Sequence, residues 1–266
     1  VFRIVTNWLD TIKQTRSPET YKLYKMVITQ MCDHCGHPKK WNGNSIADYL
    51  GWCKERGNSP STRNTKLQVI RSFVRSVGLN ISVPDKVPHL NPMPVVATED
   101  DVRKLAKRLN GKYRLALLLM ADAGLRESEV RHLRWENVDG VITVEGKGSK
   151  VRVVPIATER LKKELAKQRK ADQSYVVPGS NGKPMTPSWL SRHIAETAMS
   201  LKLGRLTAHS FRHQFAARSA RQGVPTVAIQ QALGHSNLAT TEGYLRSLVG
   251  DVEFLEEAYT CFGNGD

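Results

Sequence analysis

The 266-residue sequence contains no run of eighteen apolar residues, so no segment reads as a membrane-spanning helix. Its first residues lack the basic, apolar and small-residue succession of a secretory signal. Cysteine is scarce: Cys32, Cys35, Cys53 and Cys261 are too few for a disulfide framework on this length of chain. A reducing cytoplasm is the expected location. No internal repeat or low-complexity segment stands out, and no basic helix carries the broad aromatic face of a membrane-surface protein. Acidic residues are also under-represented. Asp plus Glu total 25 against 40 Lys plus Arg, a net charge of +15 with a pI near 9.8. Such an excess points to a polyanionic partner, nucleic acid being the commonest; surface lysine kept for solubility is the plainer alternative. The 40% hydrophobic content is ample for one or two packed cores.

Residues 1–79 read as a helical domain. Phe2, Val5, Trp8, Leu9 and Ile12 recur at helical spacing, and Ser17-Pro18-Glu19 is a cap followed by proline in the first turn. Further helices open at Ser45 and at Ser59 or Ser61, closed by Gly57 and Gly78. In the last of these, Arg63, Lys66, Arg71 and Arg75 lie among apolar residues. They suit a DNA-binding surface or an ordinary charged solvent face equally well. The CDHCGH stretch at 32–37 has metal-like spacing. A closed zinc site needs a second ligand pair, and no distant Cys/His pair is evident, so a helix end with idle thiols is the expectation. Pro84, Pro88, Pro92 and Pro94 make residues 80–97 an extended linker and hinge.

A second domain is expected over 98–266. Thr98-Glu99-Asp100-Asp101 opens a helix with an acidic first turn. KYRLALLLMADAG is nearly all apolar and reads as this domain's buried centre. Arg126 follows at a helix junction with Glu129 three residues on, on the same face, where a surface ion pair is the plain alternative. Residues 138–156 change to a strand period, giving a β-hairpin with Lys147, Lys150 and Arg152 at or near its tip. Residues 158–170 and 188–201 read as helices, and 175–178 as a short strand. The organising stretch is 207–246. It predicts a helix from Ala208, a loop at 223–225, a helix ending at Gly234 and another carrying Tyr244. His209 and Arg212 share one helix face, and His235 follows the glycine cap. A tyrosine hydroxyl, with a pKa of about 10, is a weak nucleophile until cations surround its target.

GLRESE, VEGKGSKVRVVPI, HSFRH, LGHSNLATT and Tyr244 occur in the order found in tyrosine recombinases, and the sequence resembles that lambda-integrase-like family, which includes the Xer and Cre recombinases. The likeness spans 98–246, and the basic helical domain with its proline-rich linker is similar to the family's core-binding domain. The resemblance implies a mainly α fold with a small β-sheet, and a C-shaped clamp on double-stranded DNA. It implies cleavage through a 3′-phosphotyrosyl link, reversed by a partner strand's 5′-hydroxyl by way of a Holliday junction. Carried over by motif, Tyr244 is the nucleophile, and Arg126 and Arg212 clamp the phosphate. Lys147 is the general acid, with Lys150 its rival. His209 is a base or phosphate ligand, His235 a phosphate donor, and Glu129 orients an Arg or His. His213, beside Arg212, departs from the plain motif reading and is expected to bond to backbone. Lys150 and Arg152 join the helical-domain cations as DNA contacts. No cofactor or catalytic metal is expected, because charged donors aimed at the developing oxyanion do that work. A homotetramer on paired sites is implied, closed by cyclic exchange of a tail at 248–262 (self-packing being the alternative), with an accessory directionality factor as a further partner. Integration or excision of a mobile element or phage is the expected role. Xer-like dimer resolution, a type IB topoisomerase and a catalytically silent DNA-binding relative are the alternatives.

Overall fold

The computed structural model describes residues 2–88, 95–146, 151–170 and 172–234, and the chain divides into two compact units, Val1–Pro92 and Met93–Asp266. The first is all helical: α1 (Arg3–Thr15), α2 (Pro18–Cys35), α3 (Gly43–Glu55) and α4 (Pro60–Ser76). Local sequence sets each start. Ser17 and Ser59 accept from the backbone N–H three residues on, each ahead of a proline in the first turn, and Asn42 and Ser45 form a reciprocal capping box. Val5, Trp8, Ile28, Met31, Ile46, Tyr49, Ile70 and Phe73 fill the core between the helices.

Two expectations for this unit are corrected. Lys66 is not a surface cation. It is 6% exposed, its Nζ donates to Gln30 Oε1 at 3.1 Å and to Cys53 Sγ at 3.3 Å, and it lies over the Tyr49 ring. The reason is periodicity: Lys66 precedes Ile70 and Phe73 by four and seven residues, so it shares their inward face. Nor is the whole of 80–97 a free hinge. Ile81, Val83 and Val87 pack on the first core. Asn64 pairs with both backbone groups of Val87 (3.0 and 2.7 Å), and Arg71 Nη2 donates to the carbonyls of Pro84 and of Asp85, the latter at 2.7 Å. Arg71 thus holds the proline-rich segment. Arg63 is half-buried and Arg75 exposed.

The second unit contains α5 (Glu99–Arg108), α6 (Gly111–Ala123), α7 (Glu127–His132), β1 (Val138–Asp139), β2 (Val141–Glu145), β3 (Val151–Pro155), α8 (Glu159–Gln168), α9 (Pro187–Ser200), α10 (Ala208–Arg221) and α11 (Thr226–Leu233). The strands form an antiparallel sheet in the order β1-β2-β3, with Val144 opposite Arg152. Residues 175–178 make two isolated bridges, Tyr175 with Arg134 and Pro178 with Pro184, rather than a strand. α6 is the centre: every residue from Leu115 to Ala123 is buried. That run includes an acid. Asp122, with its side chain wholly buried, accepts from Thr158 Oγ1 at 2.8 Å, Arg160 Nε at 2.7 Å and Nη2 at 2.6 Å, and Arg218 Nη1 at 2.8 Å. It ties α6 to α8 and α10. Burial alone would raise its carboxyl, but the bonds from Arg160 and Arg218 outweigh that and hold it below the ordinary range.

A group with a depressed folded pKa adds stability above its unfolded pKa and loses it as pH falls through the folded value. Replacing Asp122 by Ala leaves Arg160 and Arg218 with only the half-exposed Glu99 as their acid, so we expect a loss of about 3 kcal/mol, the low end for a broken buried pair, at neutral pH in urea unfolding. The loss should shrink in acid, below the carboxylate range.

Candidate active site

The site is built where three distant segments meet the end of α11. Gly234 caps that helix in the left-handed conformation, at φ +62°, which glycine adopts without strain. Three successive carbonyls there each take an arginine from a different element. Ala232 O accepts from Arg152 Nε of β3 at 2.8 Å. Leu233 O accepts from Arg212 Nη2 of α10. Gly234 O accepts from Arg126 Nη2, at the head of α7, at 2.9 Å. Cations suit this helix terminus because the macrodipole leaves partial negative charge on its carbonyls.

Glu129 fixes two of these arginines. Its Oε1 accepts from Arg126 Nη1 and Arg152 Nη1, both at 2.8 Å. Its Oε2 accepts from the Arg126 backbone N–H and Arg152 Nη2, both at 2.7 Å. The backbone bond is the return arm of a cap on α7. The side chain is 7% exposed. Burial pushes the carboxyl up, but the forked bonds from Arg152 and the Arg126 donors prevail, so it stays below the ordinary carboxylate range. Arg212 is 2% exposed and also donates through Nη1 to Gly124 O. Gly124, at φ +63°, closes α6; a Cβ there would meet the Phe215 ring at 2.6 Å and Leu233 at 3.0 Å. The α6 end, α10 and the α11 end therefore lock together around the Arg212 guanidinium.

His209 lies in the first turn of α10 and is exposed, on the same helix as buried Arg212. Its position at a helix N-terminus, where the macrodipole is positive, favours an anion. His213 is held neutral near pH 7, pulled down to about 4 by burial first and then by the charges of His209 and Arg212. Arg152 departs from expectation. It is not a solvated hairpin-tip cation; its side chain is 11% exposed and forked onto Glu129. β3 places it inward across from Val144, beside α11. The other predicted residues, Lys147, Lys150, His235 and Tyr244, lie outside the described residues.

With this geometry in hand, comparison with known proteins is decisive. Residues 96–250 match the phage integrase family. The chain is 31% identical to the tyrosine recombinase XerA of Thermococcus onnurineus (strain NA1), over 91% of this chain and 89% of that protein. It belongs to the phage integrase family. This recombinase is an enzyme that transfers DNA strands, as its curated relatives' membership of the tyrosine recombinases implies. Its fold resembles that of lambda integrase residues 75–356, solved as a dimer bound to a COC′ core site, with a TM-score of 0.77 at 16% identity, covering 91% of this chain and 93% of that one. A crystal structure of XerA recombinase matches with a TM-score of 0.57 at 23% identity over 98% of both chains.

Two features of this unit were not anticipated: Arg152 as a partner of Glu129, and Asp122 as the anchor beneath α10. Asp122 had a visible signal, an acid within an apolar helical run. Arg152 had none, because alternation along β3 does not reveal what its inward side meets. Among the described residues of this unit no group of His, Cys, Asp and Glu side chains is arranged to hold a metal.

Replacing Arg152 by Ala should destabilise the recombinase by about 3 kcal/mol at neutral pH, the low end for a broken buried pair, because the carboxylate loses its forked partner but keeps Arg126. The sign with pH follows from Glu129. Its low folded pKa adds stability above the unfolded carboxylate pKa, and the variant forgoes this. The wild-type advantage should therefore be largest near neutrality and fade in acid, as denaturant titrations across pH will report.

Proposed function

We propose that this recombinase performs site-specific strand exchange on double-stranded DNA, with Tyr244 as nucleophile and a 3′-phosphotyrosyl intermediate that passes through a Holliday junction. The observation that carries the reading is the meeting of Arg126 and Arg212 at the Leu233–Gly234 carbonyls, immediately before His235. In the reading, Arg126 and Arg212 face the non-bridging oxygens of the scissile phosphate, where the transition state gathers charge. Their planar forks suit two oxygens in a way lysine does not reproduce. His209 at the α10 N-terminus and His235 supply further donors, and Lys147 protonates the leaving 5′-oxygen. Glu129 acts through the arginine it holds. Arg63 and Arg75 of the helical unit contact DNA phosphates, giving salt-sensitive affinity.

The working assembly is a homotetramer on two sites. A cavity of about 490 Å³, with Val153, Val154, Phe215, Val224 and Ile229 on its walls and the Asp122–Arg218 pair at one side, lies between β3, α10 and α11. It offers a seat for the apolar face of the 248–262 tail from a neighbouring copy. Integration and excision of a mobile element or phage is the proposed role, with an accessory factor setting direction. The likeness to XerA favours a second reading, dimer resolution on a circular replicon. A substrate carrying two candidate sites as direct repeats on one circle distinguishes resolution from exchange with a second molecule.

The direct test is covalent trapping on nicked duplex DNA with candidate sites. Wild type should give an adduct resistant to SDS and EDTA, and Tyr244→Phe none. An adduct that persists in Tyr244→Phe sinks the nucleophile assignment. Arg126→Lys should fold and bind DNA yet cleave roughly 10²–10³-fold more slowly, the loss typical of one oxyanion donor.

A further inference from the structure

We infer that the helical unit carries a binding site for a thiophilic divalent cation of the zinc class, formed by His34 and Cys35 at the end of α2 and Asp48 on α3. One ligand atom from each lies within 4.8 Å of the other two. Tetrahedral zinc, bound at about 2.0–2.3 Å, sets its ligands about 3.3–3.8 Å apart, so shifts of about an ångström admit the ion. His34 Nε2 already faces Asp48 Oδ2 at 2.9 Å. Its ring is held beside Trp52 at 5.2 Å and Tyr49 at 6.1 Å between centroids, which leaves the imidazole preset toward α3. The Cys35 thiol donates to Ser45 O at 3.3 Å, which brings the sulfur to the same turn of α3.

The chemistry of the set selects the ion. Imidazole, thiolate and carboxylate together suit zinc and its neighbours rather than magnesium or calcium. One thiolate and one carboxylate neutralise a dication, and binding sends the Cys35 thiol proton to solvent. In the absence of an ion, burial and then the charge of Asp48 push that thiol up. A cation beside Asp48 removes the second cause. The fourth position is open to water on the Asp48 side, where that carboxylate is 75% exposed. Because the ligands come from two helices, the ion would staple α2 to α3. A search for a second Cys/His pair along the sequence misses the site, since the third ligand is an aspartate thirteen residues after Cys35 on another helix.

The test is titration of the full reduced chain with cobalt(II), read by the near-ultraviolet thiolate-to-cobalt charge-transfer band. Wild type should give a saturable band at one ion per chain. Cys35→Ser should abolish it, and Asp48→Asn should weaken the affinity at least tenfold. Cys32→Ser and Cys261→Ser should keep it. Zinc should raise the thermal midpoint of wild type and leave that of Cys35→Ser unmoved. If Cys35→Ser fails to fold, the exposed Asp48→Asn decides. No saturable band in wild type, or a band undiminished in Cys35→Ser or in Asp48→Asn, overturns the site.

Discussion

The second unit depends on one charged constraint: a buried glutamate that holds two arginines, which with a third cap the end of one helix. Glu129 accepts four hydrogen bonds from Arg126 and Arg152. Ala232, Leu233 and Gly234 each receive a guanidinium. A buried cation unpaired by an acid would be costly, and a buried acid unpaired by cations equally so. Together they satisfy one another, and the carbonyls that a helix end leaves open take up the remaining donors. Remove Glu129 and the arginines lose their fixed directions, although none of them loses its charge.

Beneath this lies a second buried acid with a different task. Asp122 sits in the most apolar helix of the unit and binds α8 through Arg160 and α10 through Arg218. It fixes α10 from below while Arg212 fixes it from above through Gly124 and Leu233. The helix bearing His209 and Arg212 is thus pinned by charge at two levels. Gly124 makes the arrangement possible, because any side chain there would displace Phe215 and Leu233.

The basic residues divide along the same physical line. A net charge of +15 says that cations are in excess, not which of them meet solvent. Lys66, Arg71 and Arg152 each carry a structural bond: to a buried thiol and amide, to the proline-rich segment, and to Glu129. Arg75 stays exposed. For Lys66 the spacing to Ile70 and Phe73 already indicated the inward face; the charge pointed the other way, and periodicity prevailed.

Helices, caps and the hairpin were legible from the sequence because they rest on local terms: apolar spacing, Ser-Pro and Thr-Glu-Asp-Asp starts, and glycine stops at 124 and 234. The family was legible because its motifs keep their order. The sequence by itself therefore determined the helical and mixed α/β units and the chemistry available to them. What each charged group meets is a long-range matter. Arg126 and Gly234 are 108 residues apart, Arg152 and Glu129 23 apart, and Cys35 and Asp48 lie on different helices. Only packing brings such pairs together, since a buried charge finds its partner in whichever element the core places against it. That decided which arginines meet at the end of α11, and which are held elsewhere.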